Sequence, residues 1–225
     1  MERKVLFVVT SHHEIQPGHA TGIWLSEFAE PYEVFKEAGY QMTVASIKGG
    51  KAPIDPRSLN AEQEEKWREA IGLLESTVPI DEVSADGYDA IFLPGGHGTM
   101  FDMPDNERLQ ALIRDFAEAG KVVSAVCHGP AGLVGVKLSS GEPYVRGKRL
   151  TAFTDEEERR AKYDEVMPFL LESRLRELGA AFEAAPPWSN HVEVDGKLVT
   201  GQNPQSGESA ARKVLELLGA SAVSP

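Results

Sequence analysis

An α/β fold, built on a mostly parallel sheet flanked by helices, is the class this sequence predicts, and two features of the chain predict it. Four short, almost wholly apolar runs at residues 5–9, 43–47, 90–93 and 122–126 have the composition of strands buried on both faces. Between them lie helix-length stretches with apolar residues near helical spacing, the crossovers that parallel neighbours require.

Residues 5–9 (VLFVV) read as the first strand; the run is too short for a signal-peptide core. Residues 22–38 bring Trp24, Leu25, Phe28, Tyr32 and Phe35 near one helical face, with Gly39 placed to end the helix in a left-handed cap. The second strand follows at 43–47. Residues 48–79 are unusually polar, contain Pro53, Pro56 and a Glu-rich stretch, and read as a helical insertion beside the sheet. The third strand, 90–93, leads to a helix at 106–119 carrying Leu109, Leu112, Ile113 and Phe116, closed by Gly120. After the fourth strand, residues 155–178 form a charged helix or helix pair interrupted near Met167-Pro168, because proline lacks a backbone donor and clashes with the preceding turn; Gly179 ends it. Asp195-Gly196 lies between alternating residues in 192–200, a hairpin signal, and 206–218 is a closing amphipathic helix. With no internal repeat and no linker rich in Pro, Gly or Ser, the 225 residues read as one domain, 1–225.

Composition narrows the class of function. Lys and Arg number 23 against 35 Asp and Glu, a formal charge of −12, so a nucleic acid would meet net repulsion and no basic patch offsets it. No stretch approaches the roughly 20 apolar residues of a membrane-spanning helix, so no membrane partner is expected. A single cysteine makes no internal disulfide, and the cytoplasm is the default compartment.

That cysteine sits in the run AVCHGP at 125–130, where an apolar strand stops and small residues precede a helix. In a nucleophile elbow the reactive side chain occupies such a sharp turn, and Ala125 and Gly129 are the small neighbours that let the backbone pass. The dipole of a following helix would favour the thiolate. A lone Cys is also commonly a small buried hydrophobe, and this run alone leaves both readings open. The loop PGGHG at 94–98 ends another strand, at the edge where parallel sheets bind ligands. Its backbone could aim N–H groups at a developing oxyanion, with Gly96 as the candidate donor and Gly95 and His97 as further oxyanion or substrate-binding candidates. A phosphate cradle or a plain turn is the other reading, but the loop has neither a Walker lysine nor a dinucleotide fingerprint.

Three motifs in order resemble the ThiJ/PfpI superfamily of class I glutamine amidotransferase-like proteins: TGIWLSE at 21–27 leading to Pro31-Tyr32 and Ala38-Gly39-Tyr40, PGGHG followed by FDMP at 101–104, and AVCHGP. The likeness spans nearly the whole chain. The GGHG loop and the His-Gly-Pro after the cysteine look most like the branch of glutathione-independent glyoxalases and HchA-like chaperones. The resemblance implies a flavodoxin-like three-layer sandwich with a nucleophile elbow, usually as a homodimer. It also implies a nucleophile at Cys127, an adjacent His128, a Glu27 that touches the thiol from the first helix, and an oxyanion-hole N–H at Gly96. An acidic residue should orient the histidine; Asp155 fits that place best and Glu156 is its rival. Without the resemblance Glu27 would read as a surface glutamate of an amphipathic helix.

The chemistry so implied is the conversion of methylglyoxal or a similar small 2-oxoaldehyde to a 2-hydroxy acid, D-lactate in the case of methylglyoxal. Such work needs a nucleophile for the aldehyde, a base that moves a proton between adjacent carbons, and water; no cofactor is required. Glu27 must act as both acid and base, so an apolar setting from Trp24 and Phe28 should favour its neutral form. A stress-linked holdase, a redox sensor or a protein deglycase would use the same cysteine. An amidase would pair it with His191 and Glu193, although these lie before the hairpin and leave His128 and Glu27 without a role; a protease is a weaker rival still, since no peptide cleft is evident. His12, His13, Glu14 and His19 follow the first strand but match no standard zinc spacing, so no metal is assigned. Trp188, Asn190 and His191 are candidates for the pocket entrance, which the 48–79 insertion could narrow or rebuild.

Overall fold

The computed structural model describes residues 3–219. β1 (Lys4–Val9) is buried from Val5 onward. A small ribbon of β2 (Glu14–Gln16) and β3 (His19–Ala20) precedes α1 (Leu25–Glu37), and β4 (Gln41–Ser46) returns parallel to β1. Phe28 and Phe35 of α1 pack edge-on against Phe7 of β1, with centroids 5.1 and 5.9 Å apart, the preferred geometry of aromatic pairs.

The polar stretch after β4 holds a short 3₁₀ turn (Pro56–Ser58), α2 (Ala61–Lys66) and α3 (Arg68–Leu74), as expected of a helical insertion. It is nonetheless stitched into the sheet, which its composition did not reveal. Its start bonds the entry to α1, Ile23 N–H to Pro53 O (2.8 Å) and Asp55 N–H to Ile23 O (2.9 Å), and its end is an edge strand, β5 (Val78–Pro79), paired with β4. Proline is tolerated there because an edge strand leaves one row of donors unused.

β6 (Ala90–Leu93), α4 (Thr99–Asp102), α5 (Glu107–Glu118) and β7 (Val122–Val126) follow. Asn106 caps α5 by accepting from Leu109 N–H at 2.8 Å. Beyond β7 lie β8 (Arg149–Leu150), α6 (Asp155–Ala161), α7 (Leu171–Glu177) and β9 (Ala181–Phe182), with β8 and β9 forming their own parallel pair. The charged stretch is thus two helices, but Lys162 in a left-handed conformation (φ 63) ends the first, well before Pro168. The hairpin of β10 (Val192–Asp195) and β11 (Leu198–Gly201) turns on Gly196 and Lys197, one residue later than expected, since Asp195 pairs with Leu198. α8 (Gly207–Leu217) closes the described chain.

The seven-stranded sheet runs β10-β11-β7-β6-β1-β4-β5, every neighbour parallel except β10 with β11. Alternation along each strand splits the interior into two cores. Val5, Phe7, Val9 and Phe92 face α1 and α8; Leu6, Val8, Ile91 and Leu93 face α5. This is the expected three-layer sandwich. From β1 the chain goes to β4 on one side and then to β6 on the other, so the order reverses there and opens a crevice at the carboxyl ends of β1 and β6. Among the described residues no helix is long and apolar enough to cross a membrane.

Candidate active site

Cys127 comes directly after β7 and has φ 59, a left-handed conformation that costs a non-glycine residue energy and marks a turn held by its surroundings. Its N–H donates to Gly201 O and its carbonyl accepts from Phe153 N–H, both at 2.9 Å, so β11 and the loop before α6 fix the turn from two sides. The small neighbours are required. A Cβ on Gly129 would stand 2.2 Å from Leu93 O, and one on Gly96 (φ 110) would stand 2.0 Å from Gly22 O.

Cys127 lies against a pocket of about 80 Å³ lined by Trp24, Glu27, Arg57, Gly96, Phe153 and Trp188 among others. The expected help from a helix dipole is not there. The turn continues into a five-residue 3₁₀ segment, Gly129–Leu133, and burial, followed by the Glu27 carboxyl, pushes the thiol well above its ordinary range. Both effects favour the neutral thiol over the thiolate.

Two bases stand near it. Glu27, from the first turn of α1, is fully buried and accepts Gly95 N–H with Oε1 at 2.9 Å. Its Oε2 has no conventional hydrogen-bond partner, and the carboxyl lies close enough to the thiol for each to shift the other's ionisation. Burial, above all, raises Glu27 to about 8. The neutral form expected from an apolar setting is therefore favoured. His128 puts Nδ1 3.4 Å from Cys127 Sγ and Nε2 2.5 Å from Glu158 Oε2.

The acid that meets His128 is thus Glu158, not Asp155 or Glu156. Thr154 caps α6 in a reciprocal box with Glu157, which starts the helix at Asp155 and turns that residue toward α7, where its carboxylate accepts from Ser173 Oγ at 2.5 Å. Glu156 is exposed and pairs with Arg160. Glu158, on the buried side, accepts from both His128 and His97 Nε2 (2.6 Å). Burial alone would raise its carboxyl, but the two imidazoles, His128 first, outweigh burial and hold it well below the usual range. The Thr154-x-x-Glu157 capping signature was legible in the sequence and would have moved the choice past Asp155.

The glycine loop divides its work differently from expectation. Gly95 N–H is committed to the Glu27 carboxyl, so Gly95 is no oxyanion donor. Gly96 N–H and His128 N–H have no acceptor among the described residues, and both residues line the pocket. His97 lines the pocket, but its ring is held between Glu158 and Arg57 Nη2 (3.0 Å from Nδ1), and burial, followed by the charge of His128, lowers it to about 4. Arg57 comes from the insertion and was not anticipated; Asp55-Pro56 reads as a capped turn, but nothing local tells where the arginine reaches.

His97, His128 and Glu158 carry ligand-type atoms within 4.8 Å of one another. Both Nε2 atoms already serve the carboxylate, and Arg57 adjoins them, so a cation would displace two hydrogen bonds beside a fixed positive charge. His12 stacks on Phe101 at 4.6 Å, His19 bonds Gln16, and neither they nor His13 line the pocket. Of the entrance candidates Trp188 lines it; Asn190, which donates to Ser209 Oγ, and His191, 3.2 Å from Glu193, do not.

The profile of the DJ-1/PfpI family matches residues 19–217. Glyoxalase 3 of Candida albicans is 34% identical over 94% of this chain and 97% of its own length. The glutathione-independent glyoxalase HSP31 of Saccharomyces cerevisiae is 33% identical over 96% of this chain and 98% of its own. The crystal structure of glyoxalase III from Candida albicans superposes with a TM-score of 0.88 over 96% of this chain and 97% of that one at 33% identity. The Francisella tularensis Rapid Encystment Protein superposes with a TM-score of 0.91 at 34% identity, over 96% of this chain and 99% of that one.

Proposed function

The chain belongs to the DJ-1/PfpI family, and we propose that it is a glutathione-independent glyoxalase that converts a small 2-oxoaldehyde such as methylglyoxal to a 2-hydroxy acid with Cys127 as nucleophile. The observation that carries the reading is a buried carboxyl, Glu27, beside a thiol at a small, mostly apolar pocket. An amidase arrangement would need His191, which lies outside that pocket.

In this reading Sγ adds to the aldehyde carbon while the thiol proton passes to His128 Nδ1 and on to the former aldehyde oxygen, giving a hemithioacetal. Gly96 N–H and His128 N–H stabilise the oxygen as it gains charge. Ionised Glu27 then removes the hydrogen on C1, the electrons move through C2 onto its carbonyl oxygen, and an enediolate forms. Glu27 returns that proton to C2, the C1 hydroxyl proton passes by way of His128 to the C2 oxygen, and a thioester of the 2-hydroxy acid results. Water attacks the thioester, the S–C bond breaks, and the thiol is restored; one water is consumed and no electrons are exchanged with a cofactor. Glu158 keeps the His128 ring aligned during both proton transfers.

The test is incubation with methylglyoxal in the absence of glutathione, following lactate. The parent protein is expected to form D-lactate and Cys127→Ser to form none. Absence of lactate from the parent, or its formation by Cys127→Ser, contradicts the reading.

A further inference from the structure

We propose that Arg57 is a positioning residue: it fixes the proton of His97 on Nε2 and, through Glu158, holds His128 in the tautomer that offers an unprotonated Nδ1 to Cys127. The activity arm of this inference rests on the glyoxalase reading; its other arms do not.

The guanidinium is held on all sides. Asp55, fully buried, accepts from Arg57 Nε (3.0 Å), Nη2 (2.6 Å) and backbone N–H (2.9 Å), and also from Thr21 Oγ1 (3.0 Å). The rings of Trp24 and Tyr163 flank the guanidinium carbon at 5.6 and 4.5 Å. From this fixed fork Nη2 reaches His97 Nδ1 at 3.0 Å. A guanidinium has donors only and does not deprotonate in proteins, so Nδ1 must accept, and a neutral His97 must carry its proton on Nε2. That N–H donates to Glu158 Oε1 at 2.6 Å.

Glu158 therefore keeps Oε2 for one partner, His128 Nε2–H at 2.5 Å. With its proton on Nε2, His128 turns a lone pair on Nδ1 toward Sγ at 3.4 Å. One arginine from outside the main sheet thus sets the proton arrangement of three buried groups. The groups facing His97 are Arg57, His128 and Glu158, with the rings of Phe153 and Tyr163 around them. Once Arg57 is removed, Nδ1 loses its obligatory donor and the nearby positive charge that opposes protonation is gone. His97 then becomes free to protonate, and a doubly protonated His97 competes with His128 for the Glu158 charge.

The experiment compares the parent with Arg57→Met, Arg57→Lys and the double variant Asp55→Asn/Arg57→Met, which leaves no unpaired buried carboxylate. Three readouts are taken: histidine ¹⁵N shifts, the pH dependence of iodoacetamide alkylation, which reports Cys127 alone because it is the sole cysteine, and glyoxalase kinetics. Expected in Arg57→Met and the double variant are loss of the pure Nε2–H pattern of His97, an alkylation rate at neutral pH about tenfold lower, and a kcat lower by about 10- to 100-fold with KM nearly unchanged. Arg57→Lys, which keeps a donor but not the fork, should fall between. An unchanged His97 ¹⁵N pattern and an unchanged alkylation profile in the folded double variant overturn the proposal. If the parent forms no lactate, the glyoxalase reading fails while the nitrogen shifts and alkylation still decide the role of Arg57.

Discussion

Glu27 and Glu158 are two buried carboxyls beside the same thiol-bearing turn, and their surroundings drive them apart. Glu27 receives one backbone N–H and no cation, so burial raises it; Glu158 receives two imidazole N–H groups and stays ionised. In the proposed mechanism Glu27 acts in its ionised form, and raised to about 8 it makes kcat/KM climb as pH rises toward that value, which a pH-rate profile on methylglyoxal checks. Glu158→Gln keeps the shape of the side chain and loses the charge, so kcat should fall by about 10- to 100-fold, whereas Asp155→Asn, which alters only the contact with Ser173, should change it less than about twofold. Steady-state kinetics on the two variants separates the two acids. Equal losses would restore Asp155 as a candidate for orienting His128.

At the scale of elements, the elbow and the entrance each depend on one tight feature. Gly129→Ala would put a Cβ 2.2 Å from the Leu93 carbonyl, a backbone atom that cannot step aside. The expected cost is above about 3 kcal/mol, read as a lower urea midpoint with the slope unchanged. Trp188 covers the pocket with φ 64, its N–H donated to Glu157 Oε2 at 3.0 Å and its ring 5.4 Å from Phe153. Glu157 itself is fully buried and also accepts from Gln202 and Asn203. Trp188→Ala should shift selectivity toward a bulkier 2-oxoaldehyde such as phenylglyoxal, measured as the ratio of kcat/KM values. Strands and helices were readable because buried parallel strands are continuously apolar and helices repeat with a 3.6 period: residues 90–93 and 122–126 coincide with β6 and β7, and Gly39, Gly120 and Gly179 all take left-handed conformations. Cys127, His128 and Glu27 were found because their motifs are local. Arg57 and Glu158 were not, because what each touches is decided by tertiary contacts across 40 and 30 residues.

For the whole molecule, the shifted groups set how stability follows pH. Glu27 is raised in the folded state, so its contribution is complete below the ordinary carboxyl range near 4.5 and is lost as pH rises through about 8. His97 is lowered, so its contribution is complete above 6.5 and is lost as pH falls through about 4. Between 4.5 and 6.5 the two slopes oppose each other; above that window the His97 slope is gone and Glu27 makes stability decline. A net charge of −12 adds self-repulsion in the same direction. Thermal unfolding should therefore show a broad maximum at mildly acidic pH, and Glu27→Gln should raise Tm at pH 8 to 9 by several degrees, roughly 4–8 °C for each kcal/mol in a small domain and less in one of this size, while changing it little at pH 5. Variant kinetics then have to be read at a pH where both proteins are folded. The most direct measurement follows from this: Glu27→Gln, shown folded, is given methylglyoxal labelled with ¹³C at C1, without glutathione, and watched by NMR. A hemithioacetal carbon bound to Cys127 should accumulate with no labelled lactate, because the thiol still adds but C1 keeps its hydrogen; labelled lactate at the parent's rate would contradict the assignment of Glu27 as the base.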